Sequence, residues 1–225
     1  MCFSESASVA GGLAVGGLGI ATLPLVRERK QMMFAALPLV FGVHQLLEGA
    51  VWHQLDASGQ AAIRTPAVEA WLLVAWLVLP VWVPIAVRLF EPDEGRRRWL
   101  LVLVAVGAGI GAYLAFESVA AQTTVSAADN HLHYALPMQH GWVLGLPYVA
   151  ATCGALLLSS HRFVVTFGGA LFVAMSAAAV LYASGFSSVW CFFAALLSGM
   201  VFINYAGARA RERVVDTRGS RVSQA

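Results

Sequence analysis

The chain has 225 residues, 59% of them hydrophobic and only 12% charged, with a mean hydropathy of +0.73. Soluble domains carry roughly 25% charged and 45–50% apolar residues, so these figures exclude a disordered chain, a nucleic-acid binder and an ordinary cytosolic enzyme. The net charge of +2 says little by itself; the placement of the charges says more.

A bilayer core about 30 Å thick needs about 20 apolar residues in a helix. Seven stretches qualify: Ala7–Val26, Met32–Trp52, Ala70–Val87, Trp99–Phe116, Gly141–Ser160, Phe163–Ala183 and Val189–Ala206. In hydrocarbon every backbone N–H and C=O must be satisfied within the segment, so each stretch is expected to be helical. The ten-residue alternating segments of a membrane β-barrel are missing. The expected fold is an all-α, integral membrane bundle of seven transmembrane helices in one domain, residues 1–206. Residues 207–225 are expected to be a disordered, basic cytoplasmic tail. Two connections are long, His53–Glu69 and Glu117–His140. No basic residue precedes the first apolar run, which therefore reads as an uncleaved span rather than a signal peptide.

Thirteen of the 14 basic residues lie after spans one, three, five and seven; only Arg64 lies on the other side. The positive-inside rule then puts the N-terminus outside and the C-terminus in the cytoplasm. The chain is expected to be a multi-pass protein of the cell membrane, with the lipid bilayer as its partner and no nucleic acid. The pairs Gly12/Gly16, Gly107/Gly111 and Gly141/Gly145 are small-xxx-small motifs that let backbones approach closely. Pro38, Pro80, Pro84 and Pro147 fall within spans, where each removes a backbone donor. Trp52, Trp99, Trp142 and Trp190 sit at span ends, as in an aromatic belt.

His44 and Glu48 stand out. A carboxylate at membrane depth costs about 2.5–3.5 kcal/mol even on the lenient insertion scale, so it should face the bundle interior and have a partner. The two are four residues apart on one helix face; Trp52 continues the stripe and Gln45 flanks it. Three readings are open. The pair is a structural hydrogen-bonded lock, or two ligands of a transition metal such as zinc or iron, or a proton-handling or small-molecule site without metal. A metal needs further ligands. Cys2 and Cys191, both on the outer side, are candidates, and they are equally a disulfide or two structural thiols. Cys191, Ser198 and Tyr205 form one polar stripe on the seventh span. Cys153 reads as a small core residue. The loop His131, His133 and His140 could bind metal or form a lid.

Three blocks carry a resemblance. They are Met1-Cys2-Phe3-Ser4, the run from Leu37 to Gly49 containing His44-Gln45-Leu46-Leu47-Glu48, and Ser188-Val189-Trp190-Cys191-Phe192-Phe193-Ala194-Ala195. They resemble a bacterial family of uncharacterised multi-pass membrane proteins known as a domain of unknown function. The resemblance implies an integral membrane protein and supplies no reaction. The span count and orientation are also similar to those of seven-helix, zinc-dependent membrane hydrolases such as the alkaline ceramidases. Those enzymes use two His on the last helix, and span seven has none. A retinal protein needs a Lys there, and the only Lys is Lys30.

The function expected from the sequence is an integral membrane protein with an outward-facing intramembrane His/Glu/Cys site, metal-binding or a metal-dependent enzyme. The alternatives are a proton-coupled small-molecule transporter or binding protein, and a structural membrane protein with no chemistry.

Overall fold

The computed structural model describes residues 4–128, 131–134, 141–182 and 185–222. Among these, seven helices alternate in direction: α1 (Glu5–Leu25), α2 (Arg29–Ser58), α3 (Pro66–Phe90), α4 (Glu94–Ala120), α5 (141–157), α6 (Arg162–Leu181) and α7 (Phe186–Val222). Six are long and apolar enough to cross a membrane, and α5 is a shorter apolar helix. Their outer faces are apolar too: Val180 is 81% exposed, Ile203 69% and Phe116 67%. This is the build of a multi-pass membrane bundle, whose outer surface needs no polar cover.

The helices outrun the apolar stretches because polar residues cap and extend them. Thr65 accepts from the Val68 amide ahead of Pro66, so α3 starts before Ala70. Asp93 accepts from the Arg96 amide at 2.7 Å, which draws Arg96, Arg97 and Arg98 into the first turn of α4. Gly59, at φ +61°, ends α2 in the left-handed conformation that favours glycine. The last helix does not stop at Ala206. The helix runs on to Val222, and Ala208, Arg209, Ala210, Arg211 and Glu212 in the first part of this extension are of good helix-forming types. Arg209 of this extension donates to the Leu25 and Pro24 carbonyls at the end of α1, and Glu212 pairs with Arg27.

The two long connections meet as a small antiparallel sheet in the order β1-β2-β3, a minor addition to an all-α bundle. β1 is Ala62–Ile63, β2 Val125–Ala128 and β3 His131–Tyr134. Ala62 faces Ser126, and Val125 faces Tyr134. Ile63, Val125 and Leu132 are buried, so the sheet is packed onto one end of the bundle. That end is called the sheet end below. The opposite end, which carries Arg27, Arg96, Arg162 and Arg209, is the arginine end.

Glycine contacts set the helix spacing. A Cβ on Gly42 of α2 would strike the Gly16 backbone of α1, and one on Gly107 or Gly111 of α4 would strike the α3 carbonyls of Pro80 or Trp76. Gly145 has open space around it, so the Gly141/Gly145 motif does not mediate a close approach at that position. The prolines act through helix breaks. α2 turns at Ala36, just before Pro38. In α3 a π turn, Val74–Val78, precedes Pro80. There the Leu79 amide bonds Val74 instead of Ala75, and Pro80 has no N–H to offer. The stranded Ala75 carbonyl is satisfied by the Tyr148 hydroxyl of α5 at 2.8 Å. α5 has a π turn of its own at Ala150–Gly154, just after Pro147.

Trp99 is 65% exposed near the arginine end, as a belt residue should be. Trp52 and Trp190 are 7% and 6% exposed and belong to the core instead. The large indole rings fill space between helices that the belt reading assigns to lipid headgroups.

Candidate functional site

α2 is the axis of the molecule. Its buried stripe runs Leu37, Phe41, His44/Gln45, Glu48, Trp52 and Leu55, spaced by three and four residues. In the middle of that stripe His44, Gln45 and Glu48 are completely buried. The Ser188 hydroxyl, in the first turn of α7, donates to one Glu48 oxygen. The Gln45 amide donates to the other at 3.1 Å. The carboxylate thus ties α2 to α7.

His44 takes no part in this bond. Its ring lies on Trp71 of α3 at 4.7 Å between centroids and 27° between planes. Trp71 lies in turn on Tyr134 of β3 at 4.0 Å and 9°. An aromatic ladder therefore runs from α2 through α3 to the sheet. Neither ring nitrogen of His44 has a hydrogen-bond partner among the described residues. Leaving such a group unsatisfied in the interior costs about 1–3 kcal/mol. In a native protein it marks strain, a working group, or a bound water or ion.

The other residues singled out from the sequence fall at several levels. Gln45 bonds Glu48, and His44 is buried on the same stripe of α2 without a hydrogen bond to either. Cys191 is buried on α7, one turn beyond Ser188. Trp190 lines a small cavity described below. Ser198 is buried and donates to the Ala195 carbonyl of its own helix at 2.6 Å, so it serves α7 rather than the site. Trp52 lies one turn beyond Glu48 towards the sheet end, its indole N–H without a partner among the described residues. Tyr205, the last of the polar stripe, donates to Gln31 near the arginine end. His131 is buried edge-on against Tyr182, and His133 bonds the Ala128 carbonyl within its hairpin. Cys2 and His140 lie outside the described residues. Among the described residues no three of His, Cys, Asp and Glu gather as a metal-binding group. Zinc sites use three or four protein ligands, so the described residues alone do not complete a zinc or iron site.

Sequence reasoning passed over Ser188, Trp71 and Tyr134. Ser188 stood within a block already quoted, but its partner lies 140 positions away. Tyr134 and Trp71 meet only because two loops pair as a sheet.

Towards the arginine end the same face of α2 borders a small apolar cavity of about 20 Å³, walled by Leu37, Phe41, Tyr148, Cys153, Phe167 and Trp190. That is room for about one water. Beneath it sits an aromatic plug in which Phe34 meets Phe90, Phe163 and Phe167 edge-on at 5.4, 6.3 and 6.1 Å. Beneath the plug an open pocket of about 390 Å³ reaches the surface.

A second buried carboxylate closes the arginine end. Glu91, 3% exposed, accepts the Ser159 hydroxyl at 3.1 Å, the Ser160 amide at 2.8 Å, the Ser160 hydroxyl and the Asp93 amide at 3.3 Å. Burial pushes this carboxyl upward, but the serine donors and the Asp93 amide outweigh it and hold it below the usual carboxylate value. Arg96 adds bonds to the Leu158 and Ser159 carbonyls at 3.1 and 2.8 Å.

No curated protein and no solved structure matches the chain. One family model does, over residues 1–217, nearly the full length. The chain belongs to DUF6629, a family of unknown function.

Proposed function

We propose that the chain is a proton-coupled small-molecule transporter or binding protein of the cell membrane, with His44 and Glu48 as its buried proton-handling centre. In this reading all seven helices span, the N-terminus lies outside and the arginine end faces the cytoplasm. The arginine bias supports that orientation. The 17-residue helix α5, about 25 Å long at 1.5 Å per residue, is near the thickness of the hydrocarbon core.

The observation that carries the reading is His44: fully buried, with neither nitrogen partnered among the described residues, beside a fully buried carboxylate. Ionisable groups at membrane depth mark substrate or proton paths. The surroundings favour a path over a metal-dependent hydrolase. Pocket, aromatic plug, small cavity and polar group follow one another along one face of α2, while the sheet covers the far end. Such a series of open vestibule, closed constriction and central site suits access from one side at a time. The sheet and the Trp71–Tyr134 ladder lie between the polar group and the sheet end.

Trp71 is a built-in reporter, since a charged imidazolium quenches an indole stacked on it. Fluorescence of the full-length protein in nanodiscs, titrated from neutral pH down to the acid limit of the folded state, should show a step where the imidazole takes up a proton. His44→Ala or Trp71→Phe should remove the step, and Glu48→Gln should move it. A near-stoichiometric zinc or iron content, lost in His44→Ala, would overturn the proposal in favour of a metal centre. A flat titration with no bound metal would reduce the group to interhelical glue.

A further inference from the structure

The open pocket at the arginine end, the vestibule of the proposed path, does not touch the buried polar group, and its wall is chemically divided. Its depth is apolar, formed by Phe34, Phe90 and Phe163. Its rim is charged. Two rim carboxylates are already neutralised, Glu212 by Arg27 and Glu28 by Lys30. Arg162 and Arg209 have no carboxylate within ion-pair distance among the described residues. Arg209 uses Nε and Nη2 on the Leu25 and Pro24 carbonyls, which leaves its Nη1 donors. Arg162 opens α6, whose preceding residue His161 gives no side-chain cap, so the positive end of that helix dipole adds to the rim.

The geometry points to a binding site for a phosphate-bearing amphiphile, with the phosphate held between Arg162 and Arg209 and the apolar part against the three phenylalanines. Guanidinium forks match phosphate oxygens in pairs. Basic pockets between membrane helices on the cytoplasmic side hold anionic head groups. The volume of about 390 Å³ lies in the range of small-molecule sites and is far more than a phosphate ion fills. The phosphate can belong to a membrane lipid or to a soluble phosphate ester. This inference goes beyond the proposed proton chemistry and does not depend on it.

The test uses the full chain in detergent, with native mass spectrometry against phosphatidylglycerol, phosphatidylcholine and glycerol 3-phosphate. Phosphatidylglycerol should be retained over phosphatidylcholine. Arg162→Gln with Arg209→Gln should weaken retention about tenfold or more. Arg97→Gln with Arg98→Gln, an equal charge loss at the same end, should leave it within about twofold. Ala208→Trp fills the pocket without altering charge, and should abolish binding even if the arginine variant folds poorly. Glu48→Gln should bind as the wild type does, so failure of the proton reading leaves this result standing. Displacement of the lipid by glycerol 3-phosphate would assign the site to soluble esters, and no displacement would assign it to lipid. Equal losses in the two arginine pairs, full binding in Ala208→Trp, or no binding of either phosphate compound to the wild type would overturn the inference.

Discussion

Glu91 and Glu48 are both buried carboxylates, and they are treated in opposite ways. Glu91 accepts four hydrogen bonds from Asp93, Ser159 and Ser160, and Arg96 ties down the neighbouring carbonyls. Each of these donors has a partner. The result is a clasp between the α3–α4 and α5–α6 turns. Among the described residues Glu48 accepts from Gln45 and Ser188, and the imidazole one turn away has no hydrogen-bond partner. A complete network rigidifies; an incomplete one is costly in a low-dielectric interior. Glu91 therefore reads as architecture. The incomplete group around Glu48 costs stability and gives the better candidate for function.

The comparison can be broken by experiment. The largest expected effect is that of Glu91→Ala, which strands the Ser159 and Ser160 donors together. It should lower stability in detergent by about 3 kcal/mol, read as a shift in the denaturation midpoint. A loss below about 1 kcal/mol would show that water replaces the carboxylate and that the clasp is dispensable. His44→Phe should do the reverse. The ring keeps its stack on Trp71 while two orphaned nitrogens disappear, so stability should rise by about 1–2 kcal/mol as the fluorescence step vanishes. A large destabilisation instead would mean that a water or ion normally satisfies the imidazole. The smallest effect is the acid response of Glu91. Its folded-state carboxyl lies below the ordinary value of 4.5. Its contribution is thus fully present above that value and is lost as pH falls through the lower, folded-state one. Glu91→Gln should flatten that part of the stability–pH curve. An unchanged slope would place the acid sensitivity elsewhere.

Much of the architecture was legible in the letters. Long apolar runs can only be buried or lipid-facing helices, and the arginines cluster where those helices turn. Gly12, Gly16, Gly107 and Gly111 announced close contacts and make them. His44, Gln45 and Glu48 announced a buried group because their spacing and polarity conflict with the apolar run around them. The sheet was not legible. Its strands are two to four residues long, and β1 pairs with a segment about sixty positions away. The inward turn of Trp52 and Trp190 was hidden for a related reason: an indole near a span end suits either a headgroup or a gap between helices.

The helices and the presence of a buried imidazole and carboxylate can be read along the chain, because they follow from local periodicity and the cost of polar groups in hydrocarbon. The partner that each polar group found came from the packed fold. Ser188 went to Glu48, Trp71 to His44, and the Tyr148 hydroxyl to the carbonyl that Pro80 strands. Those pairings are set by helix rotation and by sheet closure, which depend on the whole packing and leave no trace in the spacing of residues along the chain.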